Sequence, residues 1–248
     1  MKLKLTTFNL SHCQDYSLTH ADDSPVNIET TAAYIRALDG DITALNEVYI
    51  HSQTEEYDRQ TEKIHAAANY PYAVDAVGKD LPWASIGNAI LSRYPLSDIR
   101  AVAVPAPTEE ERRPDENEWY EDRVILSARA KTDVGDILVI TTHFGLNGLE
   151  HERMVGALTA LIDASDIPVI LMGDFNVRPH AAVLQPIYDR LRSCADLVGN
   201  TDYTFSSFAP DRTIDYIFVS EGIGVEDFTA HKEIVSDHRA CTAVIEIG

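Results

Sequence analysis

Short apolar runs, most of them closed by an acid, an amide or a histidine, punctuate this chain. Alternation over "LKLTTFNL" (3–10) and β-branched runs over "DITALNE" (41–47), "SIGNAILSR" (85–93), "RVILSARAK" (123–131) and "DILVITTHF" (136–144) predict strands. So do "PVILMGDFN" (168–176), "TIDYIFVS" (213–220) and "CTAVIEIG" (241–248). Helical spacing takes over between some of them. Ile28, Ala32, Ile35 and Leu38 recur on one face, with Asn27 placed to cap and Gly40 just past the end. From Leu149 to Ala164, Met154, Leu158 and Leu161 share a face, behind Asn147 and Glu150 at capping-box spacing. Residues 57–68 make a weaker third helix. Strands in runs with helices between them predict a layered α/β fold, and the length suits a single domain over residues 1–248.

One stretch breaks the pattern. "PAPTEEERRPDENEWYEDR" (105–123) is Pro-rich, acidic and aperiodic, which predicts a long surface loop, either a solvated excursion or a functional segment. Its acid-rich part, 109–122, carries Trp119 and Tyr120 and is suited to form a lid over a small polar ligand.

Polar groups gather where the apolar runs stop: Asn9, Glu47, Asn88, His143, Asp174, Asn176, Asp215, and Asp237 with His238 in "SDH". Singly, each has an ordinary role. Asp and Asn favour turns and caps, Glu47 can pair with a surface cation, and His51, His65 and His180 read as exposed loop residues. Asp215 is different, because an acid inside "TIDYIFV" needs a partner. Asp174 and Asn176 stand two apart, which on a strand puts them on one side of the chain. As a set, oxygen ligands without cysteine suit a hard cation, Mg²⁺ or Mn²⁺, and not zinc. Histidines add charge or a proton for a phosphoryl oxygen. Together these are the parts for metal-assisted hydrolysis of a phosphate ester.

Charge narrows the partners. Forty acids against 20 Lys and Arg give a net charge of −20, which disfavours a protein living on the phosphate backbone of nucleic acid. Cys13, Cys194 and Cys241 are odd in number and form no CxxC, so they read as reduced thiols of a cytoplasmic protein. The N-terminus has no signal-peptide pattern, and no apolar run is long enough for a membrane span.

The ordered blocks "TTFNL", "ALNEV", "GNAILSR", "TTHFG", "MGDFN", "IDYIFV" and "SDHRA", from residue 6 to 240, resemble the endonuclease/exonuclease/phosphatase superfamily. The resemblance implies a four-layer α/β sandwich with two packed mixed β-sheets flanked by helices, and a site at one end of the sheets. It implies Glu47 as main metal carboxylate with Asn9 beside it, and Asp237 near that metal or a second one. Asp174 resembles the acid that orients or deprotonates water, and Asn176 the amide that holds the nucleophile or a phosphate oxygen. His143 resembles the histidine that bonds a non-bridging oxygen, and His238 the catalytic histidine with Asp215 as its carboxylate partner. Whether His238 acts as base, acid or electrostatic stabiliser is left open. Asn88 joins the substrate-binding set. Arg123, in "EDR", is suited either to clamp a phosphate bidentately or to pair with neighbouring acids. Two departures stand out: Asn46 replaces the glutamine that often precedes the metal glutamate, and His12 occupies a position where a substrate contact is possible.

The implied reaction is in-line attack of water on phosphorus. The acidic balance favours a small soluble phosphate ester, such as a sugar phosphate or lipid headgroup. The alternative is an endonuclease or exonuclease, but Lys63, Lys79, Arg93 and Arg153 are scattered and form no basic stripe. A non-catalytic module is disfavoured because no core position of the set is missing.

Overall fold

The computed structural model describes residues 1–19, 24–114 and 116–248, so Asp115 of the acidic loop lies outside the described residues. The strands are β1 (Lys2–Asn9), β2 (Ile42–Ser52), β3 (Tyr72–Leu81), β4 (Ala84–Ser92), β5 (Leu96–Val104) and β6 (Arg123–Thr132). They continue with β7 (Gly135–His143), β8 (Val169–Asp174), β9 (Leu191–Ser193), β10 (Asp215–Ser220), β11 (Gly224–Ala230) and β12 (Cys241–Glu246). The α-helices are α1 (Tyr16–Thr19), α2 (Ile28–Leu38), α3 (Gln60–Ala68), α4 (Gly148–Asp163), α5 (Gln185–Tyr188) and α6 (Cys194–Val198).

Two six-stranded sheets form, ordered β11-β12-β1-β2-β4-β3 and β5-β6-β7-β8-β10-β9. Both are mixed. The parallel pairs are β1–β2 and β7–β8, and the crossovers that parallel pairing demands carry α2 and α4.

Alternation along the strands sorts the core into layers. Leu5, Ala44, Ile90, Leu126, Val139, Met172, Ile217 and Ala243 meet between the two sheets. The opposite face of the first sheet, with Phe8, Leu45 and Leu91, packs on Ile35 of α2 and Ile64 of α3. The opposite face of the second, with Ile140, Leu171 and Phe218, packs on Met154 and Leu158 of α4. Helices, sheet, sheet, helices: the molecule is the four-layer α/β sandwich with two mixed sheets that the sequence implied.

Several boundaries differ from expectation. The third helix begins at Gln60 and not at 57, after turns. The left-handed residue that ends α2 is Asp39 (φ 56°). Gly40 serves a different end, since a Cβ there would lie 2.5 Å from Thr6 Oγ1. The expected strand 168–176 stops at Asp174. Strands β3, β5, β9 and β11 were not anticipated, and they are the edges of the two sheets.

Candidate active site

The polar residues at the strand ends lie on the inner faces, where the layer between the sheets runs out of apolar side chains. Asn9 follows Leu3 and Leu5 at even spacing, Asn46 follows Ile42 and Ala44, and His143 follows Ile137 and Val139. Asp174 follows Ile170 and Met172, while Asp215 and Asn88 precede Ile217 and Ile90 by two. Strand register then aligns them across the sheets. His143 pairs with Asp174 and Asp174 with Asp215, so three adjacent strands present their polar residues at one level. In the other sheet Asn9 pairs with Asn46.

Local backbone departures complete the set. Strict alternation would turn Glu47 away from Asn46's side. A β-bulge between Leu45 and Val48, with Glu47 at φ 55°, brings it to the pocket instead. Asn176 reaches the same side as Asp174 through a turn and not through the pleat. Its φ is 49°, and its backbone N–H donates to Asp174 Oδ1 at 2.9 Å. Gly173 permits the close β7–β8 approach, since a Cβ there would sit 1.9 Å from the Thr142 carbonyl oxygen.

Asp174 is the hub. Its Oδ2 accepts from Asn9 Nδ2 at 3.0 Å and lies 3.5 Å from both His143 Nε2 and His238 Nε2. Asn9 Nδ2 also donates to Glu47 Oε1 at 2.9 Å. On its far side, His238 Nδ1 meets both oxygens of buried Asp215, at 3.1 and 3.0 Å. The acid inside the apolar run thus has its partner. Asn46 supports the hub from behind: its Oδ1 accepts from the Asp174 backbone N–H, and its Nδ2 donates to Asn88 Oδ1 at 2.8 Å. Asn88 in turn donates to the Val124 carbonyl, so both ends of its amide are engaged. Ser236 ties the "SDH" segment to β1, with Oγ donating to the Asn9 carbonyl at 2.8 Å.

Arg123 pairs with a neighbouring acid, the second of the two roles expected for it, and also reaches His143. One guanidinium nitrogen is 3.1 Å from Glu121 Oε2, and another donates to His143 Nδ1 at 3.2 Å. Because guanidinium only donates, His143 Nδ1 must accept, which puts the proton of the neutral ring on Nε2. Asn176 Nδ2, which donates to the Phe144 carbonyl, lies 3.2 Å from that Nε2. Two N–H donors therefore stand side by side at the hub.

Burial and charge set the protonation states. Burial pushes the Asp174 carboxyl up, and the neighbouring Asp215 adds to this, while the His238 imidazole opposes it. Burial works against charge on His238, yet Asp215 and Asp174 outweigh it and raise the imidazole well above its ordinary value. His143 is driven the other way, by burial and then by the Arg123 charge. For Glu47, burial opposes ionisation, but His12, His143 and the Asn9 amide hold its carboxyl well below the usual range. Asp237 is raised by burial, and the negative charge of Glu47 raises it further.

These groups surround a cavity of about 390 Å³ lined by Glu47, Asn88, Arg123, His143, Asp174, Asn176, Asp237 and His238. Asn9 and Asp215 stand one layer behind. His12 also lines it, with Nδ1 3.0 Å from the Glu47 carbonyl oxygen and Nε2 3.4 Å from Glu47 Oε2. Sequence reasoning missed Lys79 and Glu121, which line the cavity and pair with each other. Only the fold brings β3 to that wall.

The donor set fits a hard cation. Glu47 and Asp237 repel each other across an oxygen-rich corner, and a divalent ion is the group that relieves this. Asp174, Asp215 and His238 also place ligand-type atoms within 4.8 Å of one another. However, both Asp215 oxygens are already taken up by His238 Nδ1, so the Glu47 corner is the better cradle. Among the described residues no helix is long and apolar enough to cross a membrane.

The model of the Endonuclease/Exonuclease/phosphatase family matches residues 6–238, and the chain belongs to that family. A search of curated proteins finds no match. Among solved structures, an endonuclease/exonuclease/phosphatase from Beutenbergia cavernae DSM 12333 is 22% identical with a TM-score of 0.78, over 100% of this chain and 72% of that one. A mannosyl-6-phosphatase from Bacteroides thetaiotaomicron VPI-5482 is 17% identical, with a TM-score of 0.74, over 99% of this chain and 100% of its own. The 2',3'-cyclic phosphatase ANGEL2 is 16% identical, with a TM-score of 0.72, over 99% of this chain and 95% of its own. Likeness at these identities shows the fold.

Proposed function

We propose that this protein is a divalent-cation-dependent phosphoric ester hydrolase acting on a small soluble substrate such as a sugar phosphate or lipid headgroup. The observation that supports it most is the convergence of Glu47, His143, Asp174, Asn176 and His238 on one cavity between the sheets. Glu47 and Asp237 would hold Mg²⁺ or Mn²⁺, while Asn9, whose Oδ1 accepts from the Ser11 N–H, orients the Glu47 carboxylate through its amide N–H and is not itself a ligand. When bound, such an ion polarises the phosphate and offsets charge on the leaving oxygen. Because both sheets contribute to the cavity, residues 1–248 act in this reading as one domain. The buried free thiols Cys13, Cys194 and Cys241 fit a cytoplasmic setting.

Asp174 orients the attacking water and takes its proton. Burial, which raises this carboxyl, makes it a stronger base than an exposed aspartate once ionised. The water oxygen bonds phosphorus as the ester P–O bond breaks, and the leaving oxygen departs as an alkoxide that takes its proton from solvent. His143 Nε2–H and the Asn176 amide, adjacent donors with no acceptor between them, stabilise a phosphoryl oxygen as charge builds on it. Arg123 fixes the His143 tautomer, and Asn88 holds the Asn46 support while forming part of the wall. His238, kept as imidazolium by Asp215, offsets the negative charge at Asp174 and the phosphate.

Phosphate release from sugar phosphates, nucleotides and inositol phosphates, run beside plasmid nicking and phosphodiester probes, tests the reading. Turnover of a small ester that EDTA abolishes and Mg²⁺ restores is the expected result. Full activity in Glu47→Gln or His238→Ala would refute the assigned roles. Plasmid nicking without small-ester turnover would replace the small substrate with nucleic acid.

A further inference from the structure

Trp119 stands at the mouth of the cavity with its side chain free and its backbone fixed. It is 72% exposed and lines the pocket. Its N–H donates to Asn117 Oδ1 at 2.8 Å, and its carbonyl accepts from Asn147 Nδ2 at 2.8 Å. An exposed indole is an apolar liability unless something covers it, and a rigid backbone makes this one a platform. Its neighbour Tyr120 differs. That hydroxyl donates to Glu116 at 2.6 Å, and its ring is already covered by the Arg112 guanidinium 4.7 Å away. Of the two aromatics in the acidic loop, only Trp119 presents a ring to the cavity.

The groups around it describe the occupant. Glu121 meets Lys79 on one oxygen and Arg123 on the other, so these three side chains together carry one positive charge beside His143. That local charge favours a phosphate in the adjoining cavity. Asp122, which lines the same pocket, keeps one oxygen as an acceptor for hydroxyls, since its Oδ1 alone takes the Ala106 N–H. An apolar ring face beside a hydroxyl acceptor matches a pyranose, whose one face is C–H and whose edge is O–H.

Resting on the phosphoesterase reading, we infer that Trp119 is a specificity-determining platform on which the sugar ring of a hexose phosphate stacks while its phosphate is hydrolysed. The ring forms part of the leaving group, so its stacking positions the scissile bond at His143 and Asp174.

The test compares a hexose 6-phosphate with glycerol 3-phosphate, which has no ring, in wild type, Trp119→Ala and Trp119→Phe. Trp119→Ala should lower kcat/KM for the hexose ester relative to the ringless one by about tenfold, chiefly through KM, and Trp119→Phe should recover part of it. Indole fluorescence gives an activity-independent readout. Titrating hexose 6-phosphate into His238→Ala should shift the emission, and the shift should vanish in His238→Ala/Trp119→Ala, where Trp83 remains. Equal effects on both esters, or an unchanged ratio, overturn the platform while leaving the phosphoesterase reading intact. A larger loss for nucleoside monophosphates than for hexose esters overturns the sugar assignment. Hydrolysis of no ester, with no fluorescence shift, overturns both.

Discussion

His238 is gripped by acid on two sides, and the two contacts differ in kind. Asp215 takes Nδ1 with both oxygens, deep in the protein, while Asp174 faces Nε2 across 3.5 Å at the cavity. Asp215 does not reach the cavity, so its effect on a substrate must pass through the imidazole. Replacing Asp215 with Asn removes the charge that keeps the ring protonated and oriented, and kcat should fall about a hundredfold with KM nearly unchanged. Steady-state kinetics separates the two, and a change confined to KM would contradict the arrangement. Proton binding also makes stability depend on pH. Folding raises both His238 and Asp174 above their unfolded values, so the folded state binds more protons. The His238 contribution is full below about pH 6.5 and is lost as pH rises through its higher folded value. Asp174 runs in the same direction from about pH 4 upward. With divalent ions removed, the urea midpoint of wild type should therefore fall more between about pH 6 and about pH 9 than that of Asp174→Asn/His238→Asn. Parallel slopes would show that these two groups do not carry the linkage.

Among the elements, the described residues of the segment between β5 and β6 form no helix or strand, yet they are tied down. Glu116 Oε1 accepts from Leu149 N–H, Asn147 Oδ1 accepts from Asn117 N–H, and Glu150 Oε1 accepts from Glu121 N–H. Buried Glu150 uses its other oxygen for the Asn147 N–H and amide, so one carboxylate joins the start of α4 to the loop that carries Trp119. Glu150→Gln should cost about 1–2 kcal/mol and loosen the loop. Faster tryptic cleavage at Arg112 would report the loosening, and an unchanged rate would show that the other ties suffice. The capping-box spacing of Asn147 and Glu150 was legible in the sequence, but the loop fastened to it was not, because those bonds run between side chains and an aperiodic backbone. The sheets divide the same way. Central strands such as β1, β7 and β8 are buried, so their apolar runs are plain to read. Edge strand β5 is exposed at seven consecutive positions, and β3 and β11 are mostly exposed or half-buried, so the two-residue signal fades. The site followed the strands. Asp174, Asp215 and His143 sit on legible central strands, whereas Lys79, on edge strand β3, belongs to the cavity wall only through tertiary packing.

At the scale of the whole molecule, the net charge of −20 makes cations generally favourable, and this must be separated from a specific site. Salt screens exposed charges within about 10 Å at 0.1 M, so any electrolyte should relieve some self-repulsion and raise the melting temperature a little. A divalent ion held at the Glu47 corner does something further, because it binds only the folded chain. At a hundredfold excess over its Kd, that binding adds about 2.7 kcal/mol. For a chain of this size each kcal/mol moves Tm by roughly 2–4 °C, so the specific gain is about 5–10 °C. Thermal melts should therefore rise by that amount when Mg²⁺ replaces NaCl at equal ionic strength. Glu47→Gln removes a carboxylate whose ionised form the folded chain favours, so it should melt below wild type without divalent ions and gain little when Mg²⁺ is added. The Mg²⁺ gain is read within each protein, as the difference between its own melts with and without the ion, which keeps the comparison free of a simple folding defect. A variant that gained as much from Mg²⁺ as wild type would assign the ion to the diffuse surface charge and take Glu47 out of the cradle.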